Sequence, residues 1–123
     1  MAVAVISVIA VFFFGMGVYA LAAPAALVRP FGITLGESAS RSEVRAVYGG
    51  FGLAIAGVLV FAALEQGDIR TGVAVTVGAA LVGMAVGRVY SAVVDTRTAF
   101  YPNWFYGVIE LVAAAALFAI SAR

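Results

Sequence analysis

The sequence predicts an all-α fold, namely an integral membrane four-helix bundle with up-down-up-down topology. Hydrophobic residues make up 65% of the 123-residue chain and charged residues only 11%, whereas a soluble domain carries about 25% charged residues. The apolar residues are grouped into four long stretches. Short connections separate these stretches, and short connections place consecutive helices antiparallel to one another.

The four predicted helices form a single domain and cover residues 2–28, 41–64, 69–95 and 102–120. Each is long enough to cross a hydrocarbon core of about 30 Å, which requires about 20 helical residues. Because lipid offers no hydrogen-bond partners to the backbone, each stretch should be helical. The first stretch is longer than a usual signal-peptide core and no positive charge precedes it, so we expect it to be retained as a helix.

Residues that favour helix ends mark four of the predicted boundaries. The run Ser40-Arg41-Ser42-Glu43 has the pattern of a capping box and is expected to open the second helix. Gly67 is expected to end that helix, and Asp68 is expected to cap the third. Pro102 suits the first turn of the fourth helix.

The distribution of arginine predicts the orientation in the membrane, because positively charged connections stay in the cytoplasm. The first and third connections, with their flanks, hold Arg29, Arg41, Arg45, Arg88 and Arg97. The opposite side holds Arg70 and Arg123. We therefore expect both termini outside. The absence of Lys and the abundance of Ala, Gly and Val are typical of a high-GC bacterial genome, so the predicted location is the bacterial inner membrane.

The residue types that the chain lacks exclude several classes of site. It contains neither cysteine nor histidine, which excludes a disulfide, a thiolate nucleophile and a histidine-ligated metal or haem. We therefore expect no metal and no cofactor. The net charge of +1 argues against nucleic acid as a partner.

Glu110 is the most informative candidate residue. It lies eight residues after Pro102, about 12 Å into the membrane at a rise of 1.5 Å per residue. A carboxylate at this depth indicates a functional site or a buried pair that fixes helix register. Because helical side chains lean toward the helix N-terminus, Arg88 is the best-aimed partner and Arg45 the second.

Polar and small residues form stripes that we expect to turn toward Glu110. On the third helix, Gly83, Gly87, Ser91 and Asp95 recur at four-residue steps. The predicted polar core or ligand-binding set consists of Arg45, Tyr48, Arg88, Tyr90, Asp95, Asn103, Tyr106 and Glu110. Within this set Glu110 is the candidate catalytic residue.

Two motifs resemble a known family. Arg45-Ala46-Val47-Tyr48-Gly49-Gly50 is similar to the R-A-x-Y-G-G signature of the DUF4345 family, and Gly87-Arg88, Asp95 and Glu110-Leu111 resemble its later G-R, D and E-L pattern. The resemblance covers nearly the whole chain. It implies a small bacterial four-helix membrane protein, without an activity to carry over, and it selects Arg45, Tyr48, Arg88 and Glu110.

Three functions fit these features. The favoured one is a non-enzymatic membrane protein that binds a lipid-like or apolar small molecule, or that packs as a subunit of a membrane complex; we also expect a homo-oligomer in contact with membrane lipids. One alternative is a small proton-coupled transporter, although the first helix carries no charge. The other is a membrane-embedded isomerase or cyclase that uses Glu110 as acid or base, although an adjacent Arg would favour the ionised carboxylate.

Overall fold

The computed structural model describes residues 1–65 and 67–122, which contain helices and no strand. The helices are α1 (Ala2–Ala22), α2 (Pro24–Val28), α3 (Ser38–Leu64), α4 (Asp68–Val94) and α5 (Phe100–Ser121). All but the short α2 are long and apolar enough to cross a membrane. The predicted all-α class and the four long apolar helices are confirmed. Gln66 and Arg123, the latter part of the predicted charge bias, lie outside the described residues.

The four long helices pack around one apolar core. The closest pairs are α1 with α3 and α4 with α5, and looser contacts join α3 to α4 and α1 to α5. Ile6, Leu59 and Leu117 are the largest fully buried side chains. Because lipid tails are as apolar as these side chains, close van der Waals packing rather than burial from water holds such helices together.

Glycines allow α1 and α3 to approach closely. A Cβ atom at Gly49 would lie 2.7 Å from Cδ2 of Leu21, and one at Gly17 would lie 2.8 Å from Cγ of Leu53 and 2.9 Å from the carbonyl oxygen of Gly49. Gly17 and Gly49 are both buried. Small residues at a helix contact let the two backbones approach, which is the usual basis of tight packing in membranes.

The first predicted helix is interrupted at Pro24, so the predicted span 2–28 was wrong in this respect. Helix α1 ends at Ala22, and Ala23 has φ −142° and ψ 66° before α2 begins at Pro24. A residue that precedes proline is disfavoured in the helical region. Proline also has no N–H to donate back to the preceding turn. The chain therefore turns here, and α2 lies at the end of the bundle.

Helix α3 begins at Ser38, three residues before the predicted start at residue 41. The predicted capping box at residues 40–43 does not form, because the N-cap is Glu37 and no side chain caps the helix. Glu37 is extended, with φ −133° and ψ 161°, and its carbonyl oxygen accepts from the backbone N–H of Arg41 at 3.2 Å. Ser40 is thus already helical and cannot adopt the conformation that an N-cap residue requires.

The turn between α3 and α4 is closed by an arginine rather than by the predicted Asp68 cap. Gly67, with φ 78°, is the N-cap of α4, and Asp68 is its first residue and makes no capping hydrogen bond. Arg70 donates from Nε to the carbonyl oxygen of Ala62 at 3.0 Å and from Nη2 to that of Ala63 at 2.7 Å. These carbonyl groups belong to the last turn of α3. Because the helix ends here, no helical N–H group follows that could bind them.

Two of the long helices contain a wider π-type turn. In α3 it covers Arg45–Gly50 and in α5 it covers Phe100–Trp104. The second begins two residues before the predicted start at 102 and includes Tyr101 in a non-helical conformation (φ −97°, ψ 134°). Regular α-helix follows from Phe105 to Ser121. Such turns often lie at functional sites, and both of these flank the polar cluster described next.

Candidate functional site

Arg88 on α4 and Glu110 on α5 form a two-pronged ion pair. Nε of Arg88 donates to Oε1 of Glu110 at 2.9 Å, and Nη2 donates to Oε2 at 2.8 Å. Glu110 is only 5% exposed and is the one charged residue in the buried core of the described chain. The expected pairing of Glu110 with Arg88 is therefore present. Parallel bonds of this kind are among the strongest that side chains make.

Asn103 completes the cluster by binding the other side of the guanidinium. Its Oδ1 accepts from Nη1 of Arg88 at 3.1 Å. Together the three residues form the polar cluster: Arg88, Asn103 and Glu110. A guanidinium carries five N–H groups, and these contacts use three of them. Within residues 1–65 and 67–122, no protein atom accepts a hydrogen bond from the other two N–H groups.

Helical spacing explains why these side chains meet. Asn103, Gly107 and Glu110 are four and three residues apart, which places them on one face of a helix. That face of α5 packs closely against α4. A Cβ atom at Gly107 would lie 3.5 Å from Cδ of Arg88, an ordinary van der Waals separation, so the arginine stem passes alongside Gly107 on its way to Glu110.

Aromatic rings lie on one side of the polar cluster, next to the segment that follows α2. The ring of Phe31 lies 5.7 Å from that of Tyr106, and Cζ of Arg88 lies 6.0 Å from the Phe31 ring centroid. Tyr106 in turn lies 6.2 Å from Tyr101 and 5.2 Å from Phe105 in an edge-on arrangement. We call this group, Phe31, Tyr101, Phe105 and Tyr106, the aromatic rim. Cations are attracted to the faces of such rings.

Sequence reasoning missed most of the aromatic rim. Phe31 ends a three-residue 3-10 turn, which is too short for helical phase to assign a side-chain direction from the sequence. Its signal was weak: an aromatic residue directly after Pro30 at the end of an apolar stretch. Tyr106 was predicted, and its ring packs against that of Phe31, which lies beside Arg88. Tyr48 is 37% exposed and makes no hydrogen bond to Arg88. The Arg88 side chain is itself 20% exposed, so the polar cluster is partly open to its surroundings.

Arg45, the second expected partner of Glu110, binds elsewhere. Its Nε donates to the carbonyl oxygen of Leu21 at 3.1 Å. Leu21 lies in the last turn of α1, where carbonyl groups lack helical partners, and the following Pro24 cannot donate an N–H. Arg45 therefore caps α1. The helix break at Ala23 leaves the carbonyl group of Leu21 without a helical partner. The sequence prediction did not include this break.

Tyr90 and Asp95 are not brought into the polar cluster. Tyr90 is 67% exposed and follows Arg88 by two residues, which is more than half a helical turn around the axis. Asp95 lies beyond the last residue of α4 in an extended conformation, and its Oδ1 accepts from the backbone N–H of Thr96 at 2.7 Å. The prediction that Asp95 and Arg88 share one helix face required the helix to continue through residue 95, whereas α4 ends at Val94.

The predicted stripe of small residues on α4 is exposed rather than turned toward Glu110, although Ser91 borders the recess described below. Gly83, Gly87 and Ser91 are exposed, and a Cβ atom at Gly83 or Gly87 would meet no atom within 4 Å. The face of α4 that is buried instead carries Ala74, Val77, Gly78, Leu81 and Ala85. The polar-stripe argument was wrong here because glycine and serine can equally well face lipid or a partner.

A recess lies between the end of α4 and the start of α5. It has a volume of about 470 Å³ and is lined by Ser91, Thr96, Arg97, Thr98, Asn103 and Trp104, with Ala92 at its wall. Asn103 thus borders both the recess and the polar cluster. Among the described residues, no group of three or more His, Cys, Asp or Glu side chains is arranged to hold a metal ion.

Comparison with known proteins identifies the family of the chain. No curated protein and no solved structure matches the chain. A family model described as a domain of unknown function, DUF4345, matches residues 1–121. The match spans all five helices and includes the residues of the polar cluster. The chain therefore belongs to the DUF4345 family.

Proposed function

We propose that the chain is a multi-pass protein of the bacterial cytoplasmic membrane that binds a lipid-like small molecule beside Arg88. The oxygen-bearing head of the ligand binds the guanidinium, and its apolar part remains in the bilayer. The aromatic rim borders the head. In this role the protein is a binding module without a chemical step of its own.

One observation carries this proposal: Arg88 is held rigidly and still has hydrogen-bond donors to offer. Two of its N–H groups bind Glu110 and one binds Asn103, which fixes the plane of the guanidinium. Its side chain is 20% exposed, compared with 7% for Glu110. In a membrane an N–H group without an acceptor is costly, and a charge-assisted hydrogen bond contributes about 1.5–3 kcal/mol. An oxygen atom of the ligand would accept a hydrogen bond from one of the two remaining N–H groups of Arg88.

The same geometry disfavours a role for Glu110 in proton transfer. Both of its carboxylate oxygens accept hydrogen bonds from Arg88, and its side chain is only 7% exposed, so neither oxygen is placed to exchange a proton with a substrate. A general acid or a proton-coupled carrier must gain and lose a proton within its working cycle. We therefore rank the isomerase or cyclase and the proton-coupled transporter below the binding protein.

The proposed orientation places both termini outside and the polar cluster in the cytoplasmic half of an up-down-up-down bundle. The connection between α1 and α3 and the connection after α4 carry Arg29 and Arg97, and Arg41 lies in the first turn of α3, as the preference for positive charge on the cytoplasmic side requires. Trp104 and Tyr101 at the start of α5 suit the boundary between lipid and water, where such rings are enriched.

We further propose that the protein self-associates or joins a membrane complex through the exposed face of α4. Gly83 and Gly87 have open space around them within the monomer. By contrast, Gly17 and Gly49 are in close contact with the neighbouring helix. Four-residue spacing of exposed small residues is the pattern by which a membrane helix packs against a partner helix.

The binding role is tested by native mass spectrometry of the protein purified in a gentle detergent. We expect the wild-type chain to retain a small molecule, and we expect Arg88→Lys and Tyr106→Phe to retain markedly less of it. Tyr90→Phe is the matched control, because Tyr90 is exposed and makes no hydrogen bond to the polar cluster. A wild-type chain without any bound species, or equal retention by all variants, would refute the proposal.

A further inference from the structure

We propose that the recess between α4 and α5 is a separate binding site for a phosphate group, supplied by an anionic phospholipid of the cytoplasmic leaflet. The recess has a volume of about 470 Å³ and is bordered by three hydroxyl side chains, an arginine, an amide and an indole. This site shares Asn103 with the polar cluster, but its charge comes from Arg97 and does not depend on Arg88.

The lining is rich in hydrogen-bond donors and contains no carboxylate. Arg97 can present a planar fork of N–H groups, the geometry that matches phosphate oxygens. Among the described residues it makes no ion pair, since the one salt bridge found there joins Arg88 to Glu110. Asp95, the acidic residue nearest in sequence, is not part of the lining, and one of its oxygens already accepts from the backbone N–H of Thr96.

The polar cluster fixes which end of the Asn103 amide is available to the recess. Oδ1 of Asn103 accepts from Nη1 of Arg88 at 3.1 Å. An amide has one carbonyl and one NH₂ group, so the NH₂ group of Asn103 remains to donate. The indole of Trp104 is likewise a donor only. The recess therefore offers donors to an anion from a side chain already held in place.

The position of the recess in the fold favours a membrane lipid as the source of the phosphate. It lies where α4 ends at Val94 and α5 begins at Phe100, at the level of Trp104 and Tyr101. Rings of these types are enriched at the depth of lipid head groups. Basic pockets between helices on the cytoplasmic side are suited to anionic head groups.

The test uses the full chain in nanodiscs of phosphatidylcholine that contain increasing amounts of phosphatidylglycerol, with bound lipid counted by native mass spectrometry. We expect selective retention of phosphatidylglycerol, and about tenfold weaker retention in Arg97→Gln, the effect of losing a charge-assisted contact. Arg29→Gln is the matched control, since Arg29 is also exposed near this end of the bundle but lies outside the recess. Thr98→Val, which removes one hydroxyl without a change of charge, should weaken retention less.

A second arm separates the two sources of phosphate. Inorganic phosphate is added to the protein in a neutral detergent, with chloride at equal ionic strength as the reference, and the melting temperature is recorded. Stabilisation that Arg97→Gln abolishes, without selectivity for phosphatidylglycerol, would retain the phosphate site and reject the lipid as its source. If neither probe depends on Arg97, or if Arg29→Gln loses as much as Arg97→Gln, the site is refuted. Failure at Arg97 leaves the role of Arg88 untouched, because the two are probed by different variants.

Discussion

Glu110 is more deeply enclosed than Arg88, although the two side chains bind each other through two parallel hydrogen bonds. The carboxylate side chain is 7% exposed and the guanidinium side chain 20%. Arg88 can therefore reach other acceptors at the end of the bundle, whereas Glu110 depends on Arg88. This asymmetry predicts that removal of Arg88 and removal of Glu110 lower the free energy of unfolding by different amounts.

We predict that Glu110→Gln is mild and that Arg88→Ala is harsh. Removal of Arg88 leaves a carboxylate unpaired inside the bundle, and breaking a buried pair in this way costs about 3–5 kcal/mol. Glu110→Gln leaves the partly exposed guanidinium with an amide oxygen to bind. Unfolding in detergent with increasing denaturant measures both. The double variant Arg88→Leu with Glu110→Leu should be more stable than Arg88→Ala, and equal losses in the two single variants would contradict the asymmetry.

The contact between α1 and α3 gives a second prediction. Gly17→Ala should lower the free energy of unfolding by about 1–3 kcal/mol, the usual cost of overpacking, because its Cβ would lie 2.9 Å from the backbone oxygen of Gly49. Gly15→Ala is the control on the same helix, since its Cβ would meet nothing within 4 Å. Equal stability of the two variants would show that α1 and α3 are not packed so closely.

The proposed orientation can be tested with single cysteines, because the chain has none of its own. A membrane-impermeant thiol reagent added to intact cells should label Glu65→Cys, at the end of α3, and leave Ser38→Cys, at its start, unlabelled. Both positions are exposed in the fold, so access depends on the side of the membrane. Labelling at residue 38 with none at residue 65 would reverse the proposed orientation.

Self-association through α4 predicts that a large side chain at Gly83 disrupts it. Gly83→Leu should shift the protein toward the monomer in sedimentation experiments, because a bulky residue keeps the two helices apart. Gly57→Leu is the control, since Gly57 on α3 also has no neighbour within 4 Å in the monomer. A wild-type monomer across a wide range of protein-to-detergent ratios would exclude this interface.

The pair of Arg88 and Glu110 could be predicted from the sequence because three constraints act on it together. Depth in the membrane required a partner for Glu110, helical spacing fixed its face, and the lean of the side chains selected Arg88. The same reasoning failed for Arg45. An unpaired carbonyl at Leu21 arises only because α1 ends before Pro24, and this demand is visible only once the helix break is known.

The sequence alone could not predict where glycine and serine residues, or residues between the long helices, would lie in the fold. Gly49 is buried against α1, while Gly83 lies open on the surface, although both occur in runs of small residues. A small side chain is compatible with either location, so spacing alone does not choose between them. Phe31 lies beside Arg88 from a three-residue 3-10 turn, which is too short to give a periodic side-chain direction. The extent of the aromatic rim therefore required the structure.

The arginines differ in whether their acceptors precede or follow them in the chain. Arg45 binds Leu21, and Arg70 binds Ala62 and Ala63, so each emerges from the ribosome after its acceptors have been made. Arg88 is the opposite case, because Asn103 and Glu110 follow it in the sequence. Its acceptors are therefore supplied only once α5 has been made. For the proposed membrane bundle we accordingly expect α4 and α5 to insert together as one unit.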